Sequence, residues 1–427
     1  MSTRQHVEIL PPHPLRAGYD RSLERGSIAD DFQRRLEPGN FTPGYLDALT
    51  VRVEQALRQQ PSDETMRWRL AFLLLQNNAT AAAVERAGEL LAGATLPQAV
   101  RLAHLVAGIR GRAELPRTGR RVRRVNWSIN NRCPMSCQGC YNPFAAEQID
   151  LAQADRIIGK LAAHGTTDLV LAGGDPLLWP PIFDVVDHAI DAGLKVGLDT
   201  TGYTLTAEKL ARLRGLSSLR LPLDAVTADV QRAFRRSPDD RLLDALLESL
   251  ALCDAEGFDR VRVHTVASAE NLHQLPELAA EIMSHPSVAQ WVVFQWWGRR
   301  ASPATVRRLG VAVEDVRAVL AAIRRDFPDR EIHLAESSER ELLNWMIQSS
   351  GQVVTFGSGP EEEFILGNLL TDEVEEILTH PILDFEAMSR GIPVTPGTVF
   401  DPAEGPAEGP SAGSVEGSAE GPAAGSR

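Results

Sequence analysis

Apolar residues follow two rhythms along the chain, and the change between them comes near Val122. From Thr42 to about Arg112 they recur at spacings of three and four. Examples are Leu46 with Leu49, Met66 with Leu70, Val84 with Ala87 and Leu91, and Leu102 with Leu105 and Val106. This spacing predicts a helical domain over 42–112, broken at Pro61-Ser62, Asn77-Asn78 and Pro97. Residues 1–41, with Pro11-Pro12, Pro14, Gly18, Gly26 and Pro38-Gly39, show little periodicity and read as a loosely ordered lead-in. Beyond Val122, short apolar runs alternate with amphipathic stretches. Strands are expected over 125–129, 169–172, 196–199, 219–223, 261–266 and 291–294. Helices are expected over 151–164, 182–192, 207–214, 242–256, 275–283 and 313–327, with Gly165, Gly193 and Gly257 as stops. Strict alternation implies an α/β fold with a parallel sheet and right-handed crossovers. Six such units fall short of a closed eight-unit barrel, so the expected architecture is a partial (βα)6 TIM-like barrel over 122–330. A small C-terminal extension over 331–400 carries a hairpin (353–356 and 364–366) and a short helix (372–378).

Composition narrows the class. The chain has 427 residues, 43% hydrophobic and 24% charged, with a net charge of -13. These values suit a soluble globular protein with several folded units, and the acidic balance argues against nucleic-acid binding. Residues 401–427 repeat Ala, Glu, Gly and Pro without an aromatic and are expected to be disordered. An arginine-rich stretch from Arg110 to Arg124, with 113–121 as its linker, reads either as a solvated connection or as a docking strip for an anion. No apolar run reaches the length of a membrane span, and the first residues lack a signal-peptide layout. The expectation is a cytoplasmic protein with no membrane partner. The helices of 42–112 look weakly like tetratricopeptide units.

Only four cysteines are present, too few for a disulfide scaffold, and three of them fall in Cys133-Pro-Met-Ser-Cys137-Gln-Gly-Cys140. Soft thiolate ligands suit iron–sulfur clusters or zinc. Structural zinc prefers four ligands, whereas three thiolates leave one metal of a cluster open for chemistry. The loop follows the first predicted barrel strand, at the strand end where such folds keep their active sites. At the end of the second strand stands Gly173-Gly174-Asp175-Pro176, where two glycines permit a close backbone approach and a carboxylate can accept from an ammonium.

These two segments resemble the radical S-adenosylmethionine (radical SAM) superfamily, over roughly residues 122–330. The resemblance implies one [4Fe–4S] cluster on Cys133, Cys137 and Cys140, with S-adenosylmethionine chelating the open iron. One-electron reduction then cleaves the sulfonium and yields a 5′-deoxyadenosyl radical that takes a hydrogen atom from the substrate. Gly173, Gly174, Asp175 and Pro176 are similar to the family's Gly-Gly-Glu-Pro, which holds the methionine amino group. Asp replaces Glu, one methylene shorter. The resemblance extends to Thr200 and Asp224 after the third and fourth strands, to Arg232 or Arg235 for the SAM carboxylate, and to Gln295 after the sixth. The family's aromatic before the third cysteine is Gly139 here, which leaves Tyr141 or another side chain for adenine packing. Cys253, on a helix outside the arc, is either a hydrogen donor to a substrate radical or a buried apolar residue.

Residues 351–372 look like the extension of peptide-modifying SPASM-type radical SAM enzymes, here without cysteines, so a single cluster is expected. The resemblance also implies a flavodoxin- or ferredoxin-type reductant. The first expectation for the substrate is a ribosomal peptide or another specialised metabolite, with a partner or leader peptide on the 42–112 helices. The alternatives are a sugar or aminocyclitol dehydrogenase, epimerase or dehydratase, and a non-enzymatic iron–sulfur or zinc module.

Overall fold

The computed structural model describes residues 26–36, 40–77, 79–112, 121–140, 142, 148–237, 241–338, 345–357, 359, 362–383 and 400–401. Tyr141, most of the lead-in, residues 113–120 of the arginine-rich linker and nearly all of the 401–427 tail lie outside them. No helix among the described residues is long and apolar enough to cross a membrane.

The N-terminal helices are α1 (Ile28–Arg34), α2 (Pro43–Gln59), α3 (Glu64–Gln76), α4 (Ala81–Leu90) and α5 (Pro97–Arg112). Their starts are chemically marked. Thr42, Asp63 and Thr80 each accept the backbone N–H of the third residue of the helix they cap, satisfying a donor that has no partner within the helix. Proline opens α2 and α5, where its missing N–H costs nothing.

A two-residue strand β1 (Arg121–Val122) precedes the main sheet. Its parallel strands are β2 (Arg124–Asn130), β3 (Asp168–Gly173), β4 (Lys195–Asp199), β5 (Ser218–Pro222), β6 (Val261–Ala267), β7 (Val288–Gln295) and β8 (Glu331–Ala335). Between them run α6 (Leu151–His164), α7 (Ile182–Asp191), α8 (Ala207–Arg212), α9 (Ala228–Arg235) with α10 (Leu242–Ala255), α11 (Leu275–Ser284), and α12 (Pro303–Leu309) with α13 (Val313–Asp326). This is the α/β partial barrel of six strand–helix units, and β8 continues its sheet past the boundary expected at Arg330. Each crossover helix buries one stripe. In α6 that stripe is Ala154, Ile157, Ile158 and Leu161, entered through an Asp150–Gln153 capping box and left through Gly165 in the left-handed conformation.

The C-terminal strands β9 (Met346–Ile347), β10 (Gln352–Phe356) and β11 (Glu363–Asn368) extend the same sheet on the far side of β2, and α14 (Val374–Leu378) follows. β9 is parallel to β2, whereas β10 and β11 form an antiparallel hairpin. A last short strand, β12 (Phe400–Asp401), pairs with β1. The hairpin's inner face and the N-terminal helices share one apolar core: Leu46, Leu49, Phe72 and Leu75 pack with Val354, Phe356, Phe364 and Ile365. Phe72 and Phe364 lie with ring centroids 6.0 Å apart.

Candidate functional site

The cysteine loop leaves β2 and settles on the C-terminal end of α9. Ser136 N donates to Arg235 O at 3.1 Å, Gln138 N to Phe234 O at 3.2 Å, and Gln138 Nε2 to Ala233 O at 3.1 Å. The loop thus caps carbonyls that a helix end leaves without partners. On its other side Trp296 Nε1 donates to Gln138 O at 3.1 Å. Gly139 has φ +83°, and a Cβ there would sit 2.9 Å from Trp296 Nε1, so this position accepts little but glycine.

Gly173 and Gly174 make the second close approach. A Cβ on Gly173 would lie 2.4 Å from Asn130 O, and one on Gly174 would lie 2.2 Å from Arg132 O. The backbones are joined there: Gly174 N donates to Asn130 O at 2.7 Å, Asp175 N to Arg132 O at 2.6 Å, and Asn130 Nδ2 to Asp175 O at 2.5 Å. The glycine pair therefore serves first to seat the root of the cysteine loop.

Cys133, Cys137 and Cys140 line one cavity of about 370 Å³ at the C-terminal ends of the parallel strands, together with Gly173, Gly174, Thr200 and Gln295. Burial pushes the Cys133 thiol up to about 11, with Cys137 and Asp175 adding to the rise. Burial and then Cys137 push Cys140 up to about 12. Arg235 Nη1 lies 3.7 Å from Cys137 Sγ, and its Nε donates to Asp224 Oδ2 at 2.6 Å. Burial opposes the Arg235 charge, but Asp224 and Cys137 more than offset it, so the guanidinium stays charged.

Several expected ligand contacts are taken by the protein itself. Asp175 is fully buried, and its Oδ1 accepts from Leu177 N at 3.1 Å and from Thr200 Oγ1 at 2.7 Å. Its Oδ2 accepts from Thr201 Oγ1. With its carboxylate turned to these donors, Asp175 shapes the rim, and Pro176 is buried behind it. Asp224 is likewise buried, accepting from Val266 N at 2.8 Å as well as from Arg235. Arg232 does not line the cavity and pairs with Asp229 at 3.5 Å, whereas Arg235, one turn on, reaches the cysteines. Gln295 faces the cavity but donates to Val311 O and accepts from Ser337 N and Oγ. Cys253 lies in the apolar core beneath α10, away from the cavity, and burial pushes its thiol up to about 12.

The cavity also holds polar residues from the strands themselves. Arg124 and Asn126 from β2, Arg220 from β5, and Arg262 and His264 from β6 line its inner part. Strands buried on both faces of a parallel sheet are normally apolar throughout. Arginine at alternating strand positions was therefore the available signal.

Residues 127–282 match the radical SAM superfamily. The AdoMet-dependent heme synthase of Methanosarcina barkeri is 30% identical over 169 residues, covering 38% of this chain and 48% of that protein. The PqqA peptide cyclase of Bradyrhizobium diazoefficiens is 28% identical over 159 residues, covering 35% of this chain and 40% of that one. Among solved structures, Streptococcus suis SuiB bound to S-adenosylmethionine aligns with a TM-score of 0.49 at 11% identity, over 81% of this chain and 80% of that one. Over residues 127–282 the chain is thus similar to radical SAM superfamily domains. It spans about half the length of the curated relatives it matches.

Proposed function

We propose that this protein is a radical SAM enzyme that holds one [4Fe–4S] cluster on Cys133, Cys137 and Cys140, binds S-adenosylmethionine beside it and modifies a peptide. The observation that carries the reading is that three thiols from one loop line a single strand-end cavity, with the Arg235 guanidinium against one of them. Three soft donors leave one metal position open, which fits the group. When bound, cluster and cofactor would supply one-electron cleavage of a sulfonium and a radical able to remove a hydrogen atom.

The chain's own part is to bind, orient and exclude water. The α9 carbonyls and Trp296 hold the cysteine loop in place before any ligand arrives. Arg235 sets a positive charge beside Cys137, where it would offset the negative charge of cluster-ligating thiolates. Asp175 fixes the Thr200 and Thr201 hydroxyls at the cavity rim. Met135, Phe234, Phe294, Trp296 and Phe356 give the cavity an apolar wall that limits water. A flavodoxin- or ferredoxin-type protein would deliver the electron. A peptide substrate is favoured by the peptide cyclases among the relatives. The N-terminal helices, which share a core with the β10–β11 hairpin, offer a surface for its leader.

The test is anaerobic reconstitution followed by reduction in the presence of S-adenosylmethionine. About four irons per chain and release of 5′-deoxyadenosine are expected. Alanine at Cys133, Cys137 or Cys140 should abolish both. Wild-type protein that binds iron but forms no 5′-deoxyadenosine would instead be a binding module.

A further inference from the structure

We propose that the inner end of the cavity is a carboxylate site, built around Arg262 with Arg124 and Arg220, that anchors an acidic group of the substrate. The inference rests on reading the cavity as the place where substrate sits.

Strand alternation brings the three side chains together. Arg124 begins β2, Arg220 lies in β5, and Arg262 lies near the start of β6, and all three face the lumen. Asp199 is the acidic side chain among the cavity-lining residues, and Arg220 Nη1 takes it at 3.0 Å. The side chain of Arg262, half-buried in the cavity wall, makes no hydrogen bond or ion pair with any described residue. Asp168 and Glu331 act on these arginines from outside the lining, where Thr167 and Gln290 donate to them. Asp199 is thus taken by Arg220 and leaves Arg262 without a hydrogen-bonded carboxylate, and such a charge is costly in a cavity until an anion neutralises it. Burial, and then Arg220, push Arg124 down to about 9. His264, two residues beyond Arg262 on the same face, is pushed down to about 3 by burial. It therefore meets a ligand as a neutral imidazole that can donate without adding charge.

The planar guanidinium fork matches a carboxylate edge, and Arg262 is free to present it. From Arg124 to the end of β2 is six residues, roughly 20 Å of strand. A ligand anchored at the inner end would thus extend toward the cysteines. The anchor would select substrates by an acidic group set back from the reacting carbon.

Calorimetric titration of the full chain in phosphate-free buffer tests this with three probes: glutarate, neutral glutaramide and inorganic phosphate. Glutarate is expected to bind one site per chain at least about tenfold tighter than glutaramide. Arg262→Gln should weaken glutarate about tenfold or more, and Arg262→Lys, which keeps the charge and loses the fork, should weaken it several-fold. Arg58→Gln on α2 should leave glutarate binding unchanged. Equal binding of glutarate and glutaramide, or undiminished glutarate binding by folded Arg262→Gln, would overturn the proposal. Should Arg262→Gln not fold, Arg262→Lys with wild-type affinity would overturn it equally. Phosphate binding about tenfold tighter than glutarate would overturn the carboxylate assignment in favour of a phosphoryl group. The titration uses neither S-adenosylmethionine nor reductant, so its failure is separable from failure to form 5′-deoxyadenosine.

Discussion

Arg235 stands between Asp224 and Cys137, donating to the carboxylate at 2.6 Å and reaching the sulfur at 3.7 Å. Asp224 is buried and Arg235 half-buried, with side-chain exposures of 1% and 14%, and the pair joins the end of β5 to the cysteine loop. Removing one partner of a buried pair leaves the other uncompensated, which costs about 3–5 kcal/mol. Arg235→Ala is therefore expected to lower the denaturant midpoint and to reduce iron content after reconstitution. Arg235→Lys should recover part of the stability, because the charge remains. Unchanged stability and iron content in the alanine variant would show that the loop is held without this pair.

The glycine pair offers a sharper test of loop seating. Gly173→Ala and Gly174→Ala place a methyl against Asn130 O and Arg132 O, backbone atoms that cannot swing aside. Both variants should retain helical circular dichroism and lose most of their iron. Gly159→Ala, in the middle of α6 with nothing within 4 Å of the added carbon, should stabilise by about 0.5–1 kcal/mol.

Glu363 on β11 faces two guanidiniums. Arg300 donates to it at 2.9 and 2.5 Å, and Arg299, itself buried, lies 3.5 Å away. Arg300 also donates to Asn142 O, two residues past Cys140, so the hairpin is tied to the cysteine loop. Glu363→Gln leaves the buried Arg299 and the half-buried Arg300 without this counter-charge and should destabilise by about 3–5 kcal/mol. Hydrogen exchange should show faster opening around residues 137–142 as well as in the hairpin.

Stability should also respond to acid through His380. Burial pushes this imidazole down to about 3, against 6.5 for an ordinary histidine. Between those values the unfolded chain binds a proton that the folded chain excludes. Stability therefore rises with pH through that window and is lost as pH falls below about 6.5, by up to about 1.4 kcal/mol per pH unit from this group. His380→Gln should flatten the slope of unfolding free energy between pH 4 and 6.5, in accord with that sign. A slope equal to that of wild type would remove His380 as its source.

Much of this molecule can be read one segment at a time. The spacing of Cys133, Cys137 and Cys140 points by itself to soft-metal ligation as an expectation, and capping residues such as Thr42, Asp63 and Asp150 mark helix starts through contacts only three residues long. The alternation of strands and helices is equally local, and it leads to the parallel sheet by packing rules that hold for any such chain. Asp175 and Asp224, however, look like ligand-binding carboxylates in sequence and spend their oxygens on Thr200, Thr201, Val266 and Arg235 in the fold. The choice between Arg232 and Arg235 turns on which side of α9 meets the loop, and no pattern within the helix states that.

Local periodicity settles which residues share a face. It is silent on whether that face meets protein, water or ligand. The chain alone therefore specified the strand–helix units, the cysteine loop and the glycines at its root. Curvature of the sheet decided that Arg124, Arg220 and Arg262, up to 138 residues apart in sequence, would share one lumen. It was likewise packing across the sheet that set the N-terminal helices on the β10–β11 hairpin as one core. Both outcomes depend on contacts between distant segments, whose geometry exists only once the sheet has formed.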